Sequence, residues 1–294
     1  MTLLAAVTLW IVNAPVVNLH AAPSVDAGVA SQAVYGGDVE QIERKGKWVR
    51  IRTADQYTGW ALKSGLRKAP KRDRAAARMA RVDTIAAHLY REPDVTAHAP
   101  VLTLPYEARL EVTREADERW LEVRLVDGHN AWIQRGDISF DDRLLTVNEV
   151  IGLSRRFLGL PYTWGGASSF GYDCSGFTQM LCRRRGIAMP RDSRPQAEWS
   201  GAVTVARDRL EPGDLLFFGP DAAKINHTGL YVGGGEFIHA TAFRQPRIQI
   251  SRLDDPHWSE LLRVCRRPRA FTHSETQGPA RHAEADGESK PTTR

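Results

Sequence analysis

The sequence predicts an α+β domain preceded by two small all-β barrels, and three observations carry that expectation. Lys47-Trp48-Val49-Arg50-Ile51-Arg52, Gly59-Trp60-Ala61 and Gly65-Leu66 recur 72 residues later as Arg119-Trp120-Leu121-Glu122-Val123-Arg124, Ala131-Trp132-Ile133 and Asp137-Ile138. Further on, Phe177 to Arg185 favours helix and Gly186 stands where a C-terminal cap prefers glycine, so Cys174 sits at or just before a helix N-terminus. Finally, Thr228-Gly229-Leu230-Tyr231-Val232 and Glu236-Phe237-Ile238 flank Gly233-Gly234-Gly235, which reads as a β-hairpin carrying His227 and His239.

In chain order, Thr2 to Val12 is apolar but has no Lys or Arg ahead of it, which a secretory signal requires. Val7 to Val17 reads as a first β-strand, and the run is too short to span a membrane. This favours a cytoplasmic location, with export as the alternative. Each copy of the repeat alternates apolar and polar residues between polar turns, the pattern of a small antiparallel barrel. Leu19-His20-Ala21-Ala22-Pro23 matches Leu89-Tyr90-Arg91-Glu92-Pro93 upstream of the two copies. Trp48, Trp60, Trp120 and Trp132 are expected in barrel cores and rims. On these Trp-bearing strands both copies resemble bacterial SH3 domains. The barrels are placed at residues 1–68 and 83–142. Between them lies a basic linker, 69–82, whose Lys71 to Arg78 run has room for a helical turn or two. Val147, Val150, Ile151, Phe157 and Leu158 have helical spacing at the head of the α+β domain, 143–271. The polar stretch 272–294 reads as a disordered tail.

The chain of 294 residues, 42% hydrophobic and 26% charged, has the composition of an ordinary globular protein of two or three domains. Its net charge of +5 is uneven, −7 over 83–142 and +6 over 143–271. No basic stripe is interleaved with aromatics, so nucleic acid is not an expected partner. Three cysteines, an odd count, argue against a disulfide framework, and Cys182 and Cys265 read as inert thiols. No cluster has metal-ligand spacing, and neither metal nor cofactor is expected. Cys174 is different. A helix N-terminus favours thiolate over thiol, and the thiolate is the reactive form. Folding the hairpin about Gly233 or Gly234 sets His227 and His239 within about two residues' register. One histidine alone is ordinarily just a polar side chain. A cysteine with two cross-strand histidines has the nucleophile, base and orienting group of a cysteine peptidase.

Five blocks sharpen this: Tyr162-Thr163-Trp164-Gly165-Gly166, Asp173-Cys174-Ser175-Gly176-Phe177, Pro212-Gly213-Asp214-Leu215-Leu216-Phe217-Phe218, His227-Thr228-Gly229-Leu230-Tyr231 and Phe237-Ile238-His239-Ala240. In this order they resemble the NlpC/p60 family of cysteine peptidases over about 130 residues, from Leu144 to Phe271. The resemblance implies a papain-like α+β fold with Cys174 as nucleophile, His227 as base and His239 orienting it. It implies oxyanion stabilisation by Tyr162 and the Cys174 backbone N–H, with Asp173 as support. The implied substrates are peptidoglycan-derived peptides, cut between γ-D-glutamate and an L-diamino acid. The domain order resembles a subgroup with two SH3-type domains ahead of the peptidase, acting on peptides with a free N-terminal L-Ala. By that likeness Asp192 and Ser193 hold the substrate amine, Tyr57 reaches in from the first barrel, and Trp164 and Ser175 contact substrate. A carboxylate suits an ammonium because a charged hydrogen bond is the stronger one. Asp192 also has the sequence position of a helix cap for Ser193 to Trp199. An exported hydrolase of intact wall and a non-catalytic wall-binding protein are the other readings.

Overall fold

Short stretches of alternating burial build the N-terminal half of the computed structural model, which describes residues 9–69 and 77–269. Seven strands come first: β1 (Leu9–Val12), β2 (Val16–His20), β3 (Val29–Val34), β4 (Asp38–Lys45), β5 (Trp48–Arg52), β6 (Thr58–Leu62) and β7 (Leu66–Lys68). They form one sheet in the order β3-β2-β6-β5-β4-β1-β7. Seven more follow: β8 (Met79–Val82), β9 (Ala86–Tyr90), β10 (Leu102–Pro105), β11 (Arg109–Glu115), β12 (Trp120–Arg124), β13 (Asn130–Gln134) and β14 (Ile138–Ser139). Their order, β10-β9-β13-β12-β11-β8-β14, is that of the first sheet with every strand advanced by seven. Trp48 and Trp120 are buried at equivalent places, and Trp60 and Trp132 are half-buried, Trp132 beneath the Arg114 guanidinium at 4.9 Å.

Two boundaries differ from the sequence reading. Val7 to Val17 is not one strand. Asn13-Ala14-Pro15 divides it, and Pro15 has no N–H to offer a ladder. β1 then pairs with β4 and β7, and β2 with β3 and β6. The stretch read as linker ends early, because Met79–Val82 is β8, paired with β11 and β14. The proposed helical turn falls mostly, and the C-terminal tail entirely, outside the described residues.

The remaining chain gives α1 (Val147–Arg155), β15 (Ala167–Ser168), β16 (Gly171–Tyr172), α2 (Cys174–Arg184), α3 (Ser193–Glu198), β17 (Ala202–Val205), β18 (Leu215–Phe218), β19 (His227–Gly233), β20 (Glu236–Thr241), β21 (Arg247–Arg252), α4 (Pro256–Leu261) and β22 (Leu262–Pro268). α1 opens with a capping box, Thr146 and Glu149 exchanging side-chain-to-backbone bonds. The six-stranded antiparallel sheet runs β17-β22-β18-β19-β20-β21. α2 lies against β19 and β20, and every residue of it except Arg183 is buried. Gly186, at φ +76°, ends it as expected.

Three aromatic and polar contacts join the sheets to each other and to this part. Tyr35 of the first sheet is buried in the core of the second, its hydroxyl accepting from the Val126 N–H at 2.7 Å. Tyr106, after β10, enters the core around α2 and meets Phe157 edge-on at 5.3 Å. Gln32 of β3 accepts from the Ala167 N–H and the Ser168 hydroxyl, each at 3.0 Å. Among the described residues no helix is long and apolar enough to cross a membrane.

Candidate active site

Cys174 is the first residue of α2, three residues earlier than helix propensity alone begins the helix. The cause is Asp173, whose carboxylate accepts from the Gly176 N–H at 2.7 Å and caps the N-terminus. Gly176 is required here, because a Cβ at that position would lie 2.2 Å from the Gly166 carbonyl oxygen. Asp173 is in turn held by Arg191, which is 2% exposed. Arg191 donates to both carboxylate oxygens, at 2.9 and 2.7 Å, to Ser175 Oγ at 2.9 Å, to the Gly166 carbonyl at 3.1 Å and to Ser31 Oγ of the first sheet at 3.1 Å. The Asp173 carboxylate is thus an acceptor in use and supports the site without donating to an oxyanion. Ser175, expected against substrate, borders the cleft but has its hydroxyl engaged by Arg191 and Asp173.

One cavity of about 450 Å³ is lined by Cys174, Tyr162, Trp164, Tyr57 and Asp192, with Ser193 at its border. Tyr57 stands in the loop between β5 and β6, so the first sheet supplies one wall. Gly165 allows that approach. It has φ +72°, and a Cβ there would meet the Val29 carbonyl oxygen at 2.6 Å. Trp164 projects beside the cavity, 74% exposed. Asp192 makes no side-chain cap bond to α3, which corrects the capping alternative; it lines the cavity together with Tyr57. Partial burial nudges the Asp192 carboxyl upward, Arg191 opposing it, and the Tyr57 phenol is raised by burial and by Asp192. The Tyr162 phenol is raised by burial and by the charge of a Cys174 thiolate. It therefore keeps its O–H as a donor.

The histidines meet. His227 Nε2 and His239 Nδ1 are 2.7 Å apart, and His239 Nε2 lies 2.9 Å from Ser251 Oγ on β21. The register explains it: Leu230 faces Ile238 across the hairpin, so His227 and His239 are diagonal neighbours on one face. Trp258 of α4 stacks on His227 at 5.1 Å and meets His239 edge-on at 4.8 Å. Cys174 Sγ is 3.9 Å from the carbonyl oxygen of Asn226, the residue before His227. Burial pushes the Cys174 thiol up to about 12, the Asp173 carboxylate adding to it, and brings His227 down to about 3 and His239 well below its usual range. Both shifts favour the neutral forms, a thiol beside an imidazole, against the thiolate that the helix N-terminus alone suggests. A helix N-terminus contributes only about 0.3–1 kcal/mol to an anion, less than burial of the charge costs.

Arg191, Ser251 and Trp258 were not among the residues selected from sequence. Arg191 adjoins Asp192 in a motif already singled out, but nothing local ties it to Asp173. Ser251 and Trp258 reach the histidines only through strand register and the packing of α4. Cys182 and Cys265 are buried free thiols, as read, and no metal-ligand group of three exists among the described residues.

Comparison with known proteins agrees with this geometry. Residues 159–267 match the NlpC/P60 family model, and residues 15–67 match a bacterial SH3 domain model. The chain is 32% identical over 253 residues to a γ-D-glutamyl-L-lysine dipeptidyl-peptidase of Bacillus cereus, covering 81% of this chain and 74% of the relative. It is also 32% identical over 254 residues to the Bacillus subtilis protein of the same name, covering 82% of each. A crystal structure of an NlpC/P60 family protein from Bacillus cereus superposes with a TM-score of 0.78 at 26% identity, covering 89% of this chain and 99% of that one.

Proposed function

The chain belongs to the NlpC/P60 family, and from that premise we propose that it hydrolyses the bond between γ-D-glutamate and an L-diamino acid in peptidoglycan stem peptides, taking small fragments with a free N-terminal L-Ala. It is a cysteine peptidase. The bond assignment is supported by the names of the two Bacillus relatives, and the fragment size by one observation above the others. Tyr57 and Asp192 line the same cavity as Cys174, offering an anion to an ammonium in the cleft that holds the thiol.

In this reading His227 takes the Cys174 proton as substrate arrives, and the thiolate attacks the γ-carbonyl carbon. The oxyanion receives hydrogen bonds from the Tyr162 hydroxyl and the Cys174 N–H. The His227 imidazolium then protonates the departing amine of the diamino acid, leaving a thioester. Water, deprotonated by His227, hydrolyses the thioester and restores the thiol. His239 holds His227 in place. Proton transfer between two neutral buried groups fits this sequence, because attack passes the thiolate's charge to the carbonyl oxygen, where the Tyr162 hydroxyl and the Cys174 N–H receive it. The second sheet, having the strand order of the first, is read as a second SH3-like module that begins at Met79. A recycling role fits a cytoplasmic enzyme.

Mass spectrometry of digests tests the proposal. L-Ala-γ-D-Glu-L-diamino-acid tripeptide should be cut after D-Glu, with its N-acetylated form and intact sacculi cut far more slowly. Equal cleavage of all three would replace it with the wall-hydrolase reading.

A further inference from the structure

His239 is fully buried and engages a partner at each ring nitrogen, His227 at Nδ1 and Ser251 at Nε2. On β21, Gln249 faces His239 directly, and Ser251, two residues on, returns to the same face as its diagonal neighbour. A neutral imidazole carries one N–H and one lone pair. If His227 is to take the thiol proton, its free nitrogen, Nδ1, must hold the lone pair. Its Nε2 then carries the hydrogen and donates to His239 Nδ1. This forces the His239 hydrogen onto Nε2, where it needs an acceptor. Among the described residues Ser251 Oγ is the acceptor present. Ser251 is half-buried, so its own hydroxyl hydrogen can turn to solvent while a lone pair serves His239.

We propose that Ser251 is a positioning residue that holds the proton on Nε2 of His239 and thereby keeps His227 in the tautomer that acts as base. The inference rests on the peptidase reading above. With Ser251→Ala, Nε2–H would be a buried donor without a partner, a rarer and costlier condition than a buried lone pair without one. The hydrogen would move to Nδ1, turn towards His227 Nε2 and leave the His227 hydrogen on the nitrogen that should receive the thiol's. Next to Ser251, Arg252 bonds to Asp254, and His257 of α4 acts on His227 through its charge.

The test uses the full chain and the tripeptide. Ser251→Ala is expected to lower kcat at least tenfold with KM unchanged, by analogy with wrong-tautomer variants of catalytic triads. Ser251→Thr should restore the rate, and Ser251→Asp should move the acid limb of the pH–rate profile to higher pH. Nitrogen-15 NMR of labelled histidines should place the wild-type His239 hydrogen on Nε2 and the Ser251→Ala hydrogen on Nδ1. Wild-type kcat and pH profile in Ser251→Ala, or a wild-type hydrogen on Nδ1, overturns the proposal. Should Ser251→Ala fail to fold, the wild-type NMR decides alone. Cys174→Ala separates the two ideas: if it retains full activity the peptidase reading falls, whereas its inactivity beside an unaffected Ser251→Ala removes only this inference.

Discussion

Cys174 shows how one side chain's surroundings can reverse the expectation its position creates. A helix N-terminus and a base next in line suggest a thiolate, yet burial favours the protonated thiol. In the proposed mechanism its nucleophilicity then comes from proton transfer during the reaction, which makes His227 indispensable. Cys174→Ala and His227→Ala are each expected to abolish tripeptide cleavage. Cys182→Ala and Cys265→Ala, changes in buried but unreactive positions, should retain most of it, and steady-state rates of the four variants check this. Asp192 has a smaller expected effect. It is exposed at the cleft, so masking the substrate amine costs a charged hydrogen bond, about 1.5–3 kcal/mol, and not the larger penalty of a buried orphan charge. Acetylating the tripeptide should then lower kcat/KM by roughly ten- to a hundredfold. Asp192→Asn should abolish most of the difference between the free and acetylated peptides.

In the proposed mechanism the head of α2 and the hairpin of β19 and β20 carry the chemistry, and each has its own signature. Gly176→Ala would press a Cβ into the Gly166 carbonyl, so the helix start or the turn must move. The expected result is a lower unfolding temperature together with lost activity, measured by thermal melts and tripeptide turnover. The hairpin imposes a pH dependence on stability. His227 and His239 are buried neutral, with folded-state pKa values depressed by burial. Unfolded histidine takes up its proton near pH 6.5. Their contribution is therefore complete above about pH 6.5 and is lost as pH falls towards the folded values, since the unfolded chain binds more protons there. Urea midpoints from pH 7 to pH 4 should fall, and His239→Gln should flatten the slope. An unchanged slope would refute the assignment.

Arg191 ties the first sheet to the α+β part of the chain beside Cys174. It holds the carboxylate that caps α2, the turn carrying Gly166, and Ser31 of the first sheet. Removing one partner of a buried ion pair costs about 3–5 kcal/mol. Arg191→Met should destabilise the protein on that order, and Asp173→Asn added to it should recover part of the loss. A Ser31→Ala change, deleting one neutral partner of a charged donor, should cost about 1.5–3 kcal/mol. Urea denaturation of these variants as a mutant cycle measures the coupling. An additive cycle would show that the pair does not act as a unit.

Much of this was legible in the chain itself, because it rests on local order. The 72-residue repeat gave two sheets whose strand order is the same, alternation placed Trp48 and Trp120 inside, and Gly233 to Gly235 forced the hairpin that joins the histidines. Pro15 and Met79 mark where local reading failed: strand breaks and starts depend on which partner strand is available, and pairing is not a local property. The protonation state of Cys174, the Arg191–Asp173 pair and the Ser251 contact were decided only by the tertiary structure. Each depends on groups brought together from distant segments, or on water excluded once they have packed, and no spacing along the sequence encodes either.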